Sequence, residues 1–280
     1  LLATFVLGVD PNGSGARLWL GYGGVYFQPS EILKVLLVAY LASYLAEKRE
    51  LLTFGGYRVG RLTLPPVPYL VPLVVILGLS LLFLLVQRDL GAALLFFGVS
   101  LAMLYTASGR SIYLLGGLAI FAAGAFLAYR LFSVAQRRID VWLDPWADPS
   151  GASFQIVQAL VAFASGGVFG TGFGWGAPRL IPAAHTDFPF AVIGEQLGLF
   201  GTLAVVTLYL LLVSRGLRLA LAFGSQRTFE ALLSLGLACI IGLQSLIILG
   251  GNLTLLPLTG ITLPFVSYGG SSLLTNYLIL

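Results

Sequence analysis

HTDFPFAVIGEQLGLFGTLAVVTLYLLLVS, residues 185–214, changes character within four residues. It opens on the single histidine, His185, and on Asp187; from Phe188 to Val213 it carries one charge, Glu195. About 20 apolar residues are what a helix needs to cross the hydrocarbon core of a bilayer. Comparable runs recur at 69–86, 90–107, 111–129, 231–249 and 261–280, and a shorter one at 32–46 is interrupted by Lys34. Seven spanning helices are therefore expected, in one integral membrane domain covering 1–280. The chain is 58% hydrophobic and 9% charged, where a soluble domain carries about 25% charged residues. Its mean hydropathy is +0.97. No strict two-residue alternation runs through these stretches, which argues against a β-barrel. The expected class is an all-α polytopic membrane protein.

Lys48, Arg49, Arg58 and Arg61 fall in one loop, Arg110 in the next but one, and Arg215, Arg218 and Arg227 in another. The positive-inside rule then puts 47–66, 109–110 and 214–228 in the cytoplasm. Segments 8–30, 87–89, 132–188 and 250–261 fall outside, and the pI of about 9.3 needs no nucleic acid. The chain opens LLATFVLG and its only methionine is Met103, so further helices are expected upstream of residue 1. Cys239 is the single cysteine, which excludes an intramolecular disulfide.

The long outer loop, 132–188, concentrates chemistry. Asp140, Asp144, Asp148 and Asp187 are four of the eleven acids in the chain. FQIVQALVAFAS (154–165) has helical apolar spacing but is too short to span, so it reads as a re-entrant or interfacial helix. SGGVFGTGFGWG (165–176) follows as irregular backbone, which membrane depth tolerates only where it is buried in protein or lines a cavity. Its glycines lack the strand that precedes a dinucleotide fingerprint; flexible backbone beside a substrate cavity suits them better.

Asp187 admits two readings. A positioned carboxylate can act as a general base. Alternatively, with Pro189 suited to a first helical turn, Asp187 caps the helix, and the capping amides lower its pKa. Glu195 lies eight residues on, about 12 Å along a helix. A carboxylate inside a span is a functional candidate, while Gly194 and Gly198 around it form a close-packing GxxxG pair. Glu31 and Lys34 share a helix face, with Ser30 placed as N-cap and Glu31 at the positive end of the dipole.

Six blocks stand in order: GARLWLGYGGVYFQPSEILK (15–34), QRDLGAAL (87–94), RRIDVWLDPWADPSGASFQIVQA (137–159), SGGVFGTGFGWG (165–176), HTDFPFAVIGEQLGLFG (185–201) and LPLTGITLPFVSYGGSSLL (256–274). Together they resemble the SEDS family of bacterial envelope proteins over essentially the whole chain, and LPLTGITLPF favours its elongation-type, RodA-like branch. The resemblance implies a ten-helix bundle of which about seven helices are visible here. It implies a peptidoglycan glycosyltransferase that polymerises lipid II at the outer face of the bacterial cytoplasmic membrane, paired with a class B penicillin-binding protein. It makes Asp187, in the HTD motif, the catalytic carboxylate. Arg17, Trp19, Glu31, Lys34, Arg137, Arg138, His185, Glu195, Ser267 and Tyr268 become substrate-binding candidates. Among them Lys34, with Arg17, Arg137 or Arg138, is suited to neutralising a pyrophosphate leaving group. The chain departs from the family pattern in QRDLG for QPDLG, Gly194-Glu195-Gln196 for GEE, and HTDFP for HTDFI. One histidine and no cysteine pair exclude an ordinary zinc site; Mg²⁺ or Mn²⁺ held by Asp187 and a second carboxylate stays open. Two other classes compete: a lipid II flippase using a cavity lined by Glu31, Lys34 and Glu195, and a non-catalytic scaffold for a partner synthase.

Overall fold

Pro29 fixes the start of the first long helix, α1 (Pro29–Phe54), because its missing N–H is one the first turn leaves unpaired anyway. The Glu31 amide already donates to the Gln28 carbonyl at 3.1 Å. Ser30 therefore lies inside the first turn and is not the N-cap expected of it. The computed structural model describes residues 4, 7–10, 18–23, 25–54, 57–59, 62–64, 67–87, 89–224 and 226–280. Arg17, Arg61 and Arg88 lie outside the described residues.

The helices that follow are α2 (Val67–Val86), α3 (Leu90–Ser108), α4 (Ser111–Leu131), α5 (Ser133–Leu143), α6 (Phe154–Gly166), α7 (Pro189–Phe223), α8 (Thr228–Asn252) and α9 (Gly270–Ile279). Two antiparallel hairpins accompany them, β1 (Leu20–Tyr22) with β2 (Val25–Phe27) and β3 (Tyr57–Val59) with β4 (Leu62–Leu64). Among the described residues six helices are long and apolar enough to cross a membrane: 29–53, 68–86, 90–108, 111–131, 189–223 and 228–252. The window of α4 is only 6% buried. An apolar surface so open needs a solvent as apolar as itself, and lipid supplies it.

The seventh expected span is corrected. The run 261–280 divides into irregular backbone over 261–269 and a ten-residue helix, α9. Gly260 (φ 73°) and Phe265 (φ 64°) adopt left-handed backbone, and Pro264 removes a donor. Side chains from α7 and α8 satisfy the carbonyls this frees. Tyr209 donates its hydroxyl to the Pro264 carbonyl, and Gln244 its Nε2 to that of Thr262 at 2.8 Å. Hydropathy reads such a buried, satisfied coil as if it were helix.

The residues gather into two compact units. The first comprises Leu1–Ala123 with Ser214–Ile240 and Ile279. In it α1, α2 and α3 pack on one another. Gly236 of α8 comes so close that an added Cβ would lie 2.5 Å from Val38 and 2.7 Å from the Met103 sulfur.

The second unit comprises Gly124–Val213 with Ile241–Leu278 and Leu280. Its main device is a break in α7 at Gly198 (φ 65°, ψ −158°). The glycine-rich segment fills the break by pairing backbone to backbone: Thr171 N–H to the Glu195 carbonyl at 2.9 Å, Gly172 N–H to Gln196 at 3.1 Å, and Leu199 N–H to Gly167 at 3.0 Å. The segment is thus pinned, contrary to the flexible role its glycines suggest. Side chains would prevent the fit, since a Cβ on Gly198 would lie 2.4 Å from the Gly170 nitrogen and one on Gly166 would lie 2.0 Å from the Gly194 carbonyl. Gly198→Ala is expected to lose at least about 2 kcal/mol through left-handed strain plus overlap. Gly116→Ala, within α4 and with nothing inside 4 Å of the added methyl, is expected to be neutral or to gain about 0.5–1 kcal/mol. Thermal unfolding of both variants in detergent checks the contrast.

Candidate active site

The HTD turn is built from its backbone outward. Ala183 sits at φ 54° and its carbonyl accepts from the amides of Thr186 at 3.1 Å and Asp187 at 3.0 Å. Phe188, fully buried, anchors the turn in a cluster with Ile156, Ala159, Ala162, Ile181 and Ala191. The next three links come from 252–268. Tyr268 N–H donates to the His185 carbonyl at 2.8 Å, the Ser267 hydroxyl to that of Thr186 at 2.5 Å, and Asn252 Nδ2 to that of Asp187 at 2.9 Å. Three successive carbonyls are therefore each held from outside the turn.

The turn leaves the Asp187 carboxylate for other work. It is Phe188 whose carbonyl accepts the amides of Ala191 and Val192, so Phe188 takes the position before α7 that the capping reading gave to Asp187. Across from the carboxylate stands Arg138 of α5. A Cβ placed on Gly260 would lie 3.7 Å from its Nη2 and 4.0 Å from Asp187 Oδ2. Gly260 is exposed, so cation and carboxylate face one open spot of bare backbone. Arg138 is aimed by the bond from its Nη1 to the Thr259 carbonyl at 2.9 Å. One turn further along α5, Trp142 Nε1 donates to the Thr254 carbonyl at 2.9 Å. Loss of hydration on burial pushes the Asp187 carboxyl above the usual range; a hydrogen bond from Thr186 and the charges of Arg138 and His185 pull the other way. Burial wins, which makes Asp187 a stronger proton acceptor than an exposed carboxylate.

The remaining candidates distribute unevenly. Exposed His185 packs edge-on against exposed Tyr268, ring centroids 5.7 Å apart. Ser267 is buried and structural in its contacts, accepting from Leu263 N–H at 2.8 Å as well as donating to Thr186. Arg137 points elsewhere, into a cavity of about 360 Å³ shared with Asp140, Asp144 and Asp148. Glu195 is buried and its Oε1 accepts from Ala177 N–H at 2.9 Å, tying α7 to the end of the glycine-rich segment. In the first unit, buried Lys34 pairs with Glu31 at 2.7 Å, and the Trp19 carbonyl accepts from Val9 N–H at 2.8 Å. Among the described residues no three His, Cys, Asp or Glu side chains group to hold a metal ion. Asn252 and Gly260 were not expected. Their only signal is an amide and a glycine set in an otherwise apolar stretch.

The family of cell cycle proteins that takes in FtsW, RodA and SpoVE matches residues 1–280. The chain belongs to this family. The peptidoglycan glycosyltransferase RodA of Mycobacterium bovis is 43% identical over 267 residues, which are 95% of this chain and 56% of that protein. The probable peptidoglycan glycosyltransferase FtsW of Geobacter metallireducens is 38% identical over 278 residues, 99% of this chain and 71% of the relative. The chain thus spans little more than half the length of mycobacterial RodA. A solved structure described as the structural coordination of polymerization and crosslinking by a peptidoglycan synthase complex aligns with TM-score 0.74 at 30% identity. It covers 98% of this chain and 73% of that one. The rod shape determining protein RodA of Thermus thermophilus aligns with TM-score 0.63 at 29% identity, covering 98% and 69%. This family member is an all-α polytopic membrane protein.

Removing the Arg138 charge deletes one of the influences that lower the Asp187 pKa. In Arg138→Ala the carboxyl is therefore expected to titrate at higher pH than in the wild type. Isotope-edited infrared titration of the aspartate carboxylate band, with Asp187→Asn to assign it, measures the direction.

Proposed function

We propose that this chain is a peptidoglycan glycosyltransferase of the RodA type, polymerising lipid II at the outer face of the bacterial cytoplasmic membrane with a class B penicillin-binding protein as partner. The observation that carries the reading is the desolvated Asp187 carboxylate facing Arg138 across the exposed Gly260. Asp187 accepts the proton of the acceptor sugar 4-hydroxyl as that oxygen attacks the anomeric carbon of the donor. The carbon inverts and the bond to undecaprenyl pyrophosphate breaks. Negative charge grows on the leaving oxygen, where a guanidinium supplies paired N–H donors as well as charge. Arg138 is the cation best placed to do this in the second unit. Lys34 keeps its candidate role in substrate binding, with Glu31 as its partner. The likeness to a peptidoglycan synthase complex supports the choice of partner, and the charge alternation of the loops supports an outward-facing site.

General-base assistance contributes roughly 10²–10⁴-fold in rate. Asp187→Asn keeps the shape and the backbone bonds of the turn while removing the base. Its polymerisation of lipid II, measured with any partner polymerase disabled, is expected to fall by at least about 10²-fold. The raised carboxyl pKa fixes the sign of the stability change. An aspartate harder to ionise folded than unfolded costs stability above its folded pKa, so the variant should unfold at the same or higher temperature at neutral pH. Near-normal glycan synthesis by Asp187→Asn contradicts the proposal, and lipid II translocation into liposomes untouched by the substitution favours the flippase.

A further inference from the structure

Asn252, the last residue of α8, is fully buried, and its carboxamide does two things at once. Its Nδ2 donates to the Ile248 carbonyl at 3.0 Å, one turn back in its own helix, and to the Asp187 carbonyl at 2.9 Å, 65 residues away in sequence. Both partners are carbonyl oxygens, so only the NH₂ end can face them, and the orientation of the amide is settled. That leaves Oδ1 buried with no partner among the described residues. An unpaired buried acceptor is costly, and an apolar side chain of similar size would avoid the cost. The amide is used for its two donors, and the distant one goes to the peptide group of the proposed base.

We infer that Asn252 is a positioning residue for Asp187, its carboxamide fixing the Asp187 peptide plane so that the carboxylate faces Arg138 across Gly260. The inference rests on the reading of Asp187 as the base. Asn252 is buried and meets the backbone of the turn, so it has no part in binding substrate. The His185 and Thr186 carbonyls are held by Tyr268 and Ser267; among the described residues it is Asn252 that holds the Asp187 carbonyl. A backbone left to rotate there displaces the base, and a misplacement of about 1 Å can cost on the order of 10²-fold in rate.

The test is a double-mutant cycle on the protein with its partner, reading lipid II polymerisation in Asn252→Ala, Asp187→Asn and the double variant. Asn252→Ala is expected to lose about 10–10²-fold in kcat with KM within about twofold of wild type. In the Asp187→Asn background it is expected to cost nothing further, because it acts through that carboxylate. Asn252→Leu keeps about the same size, carries no donor, and stands in for the alanine variant if that one fails to fold. A wild-type kcat in both Asn252 variants overturns the inference, as does a loss that multiplies the residual rate of Asp187→Asn. Full synthesis by Asp187→Asn alone overturns instead the reading of the base, so the two failures are distinct.

Discussion

A sharp turn at the end of a membrane span must find donors for its carbonyls, because lipid offers none and an unpaired buried group is costly. The turn 185–187 meets this demand with three donors from one stretch of chain, Asn252, Ser267 and the Tyr268 amide. Much of the second unit follows from that constraint. The donors can lie in line only if the chain after α8 stays irregular. It therefore needs Gly260, Pro264 and the polar side chains of Tyr209 and Gln244 to satisfy it. The same coil presents the Thr259 carbonyl to Arg138 and the Thr254 carbonyl to Trp142, so α5 is set by the same stretch of chain that sets Asp187. Carboxylate and cation are thus positioned by one scaffold, with bare glycine between them.

The second constraint lies deeper along α7. A helix interrupted at Gly198 exposes carbonyls and amides that must pair elsewhere, and the glycine-rich segment supplies them by approaching backbone to backbone. Glu195 closes the arrangement by accepting the Ala177 amide, just before the chain turns back toward the HTD motif. The rigidity of the turn thus has support on both sides. The cost is a buried Glu195 Oε2 with no partner among the described residues.

Much of this was legible in the residues. Apolar runs located the six spans, the spacing of Phe154 to Ser165 located α6, and the HTD motif singled out Asp187. Hydropathy failed at 261–280, where a satisfied coil is as apolar as a helix. It was silent on α5, whose value lies in which face carries Arg138 and Trp142. Gly194 and Gly198 signalled close packing, but not that a loop rather than a helix would fill the gap. Arg137 and Arg138 look alike in sequence, yet successive helical residues point about 100° apart, and of the two it is Arg138 that stands with the carboxylate beside Gly260. Asn252 was invisible for a plainer reason, because its bond spans 65 residues and no local pattern announces it.

The central claim is that Asp187 meets the attacking hydroxyl while Arg138 meets the pyrophosphate. The most direct measurement is a structure of the protein holding a lipid II acceptor together with an unreactive donor analogue. The account predicts the acceptor 4-hydroxyl within about 2.6–3.2 Å of an Asp187 carboxylate oxygen, with the Arg138 guanidinium on the donor phosphates. An acceptor hydroxyl seated instead against Glu31 or Glu195, with Asp187 turned away from both sugars, would contradict it.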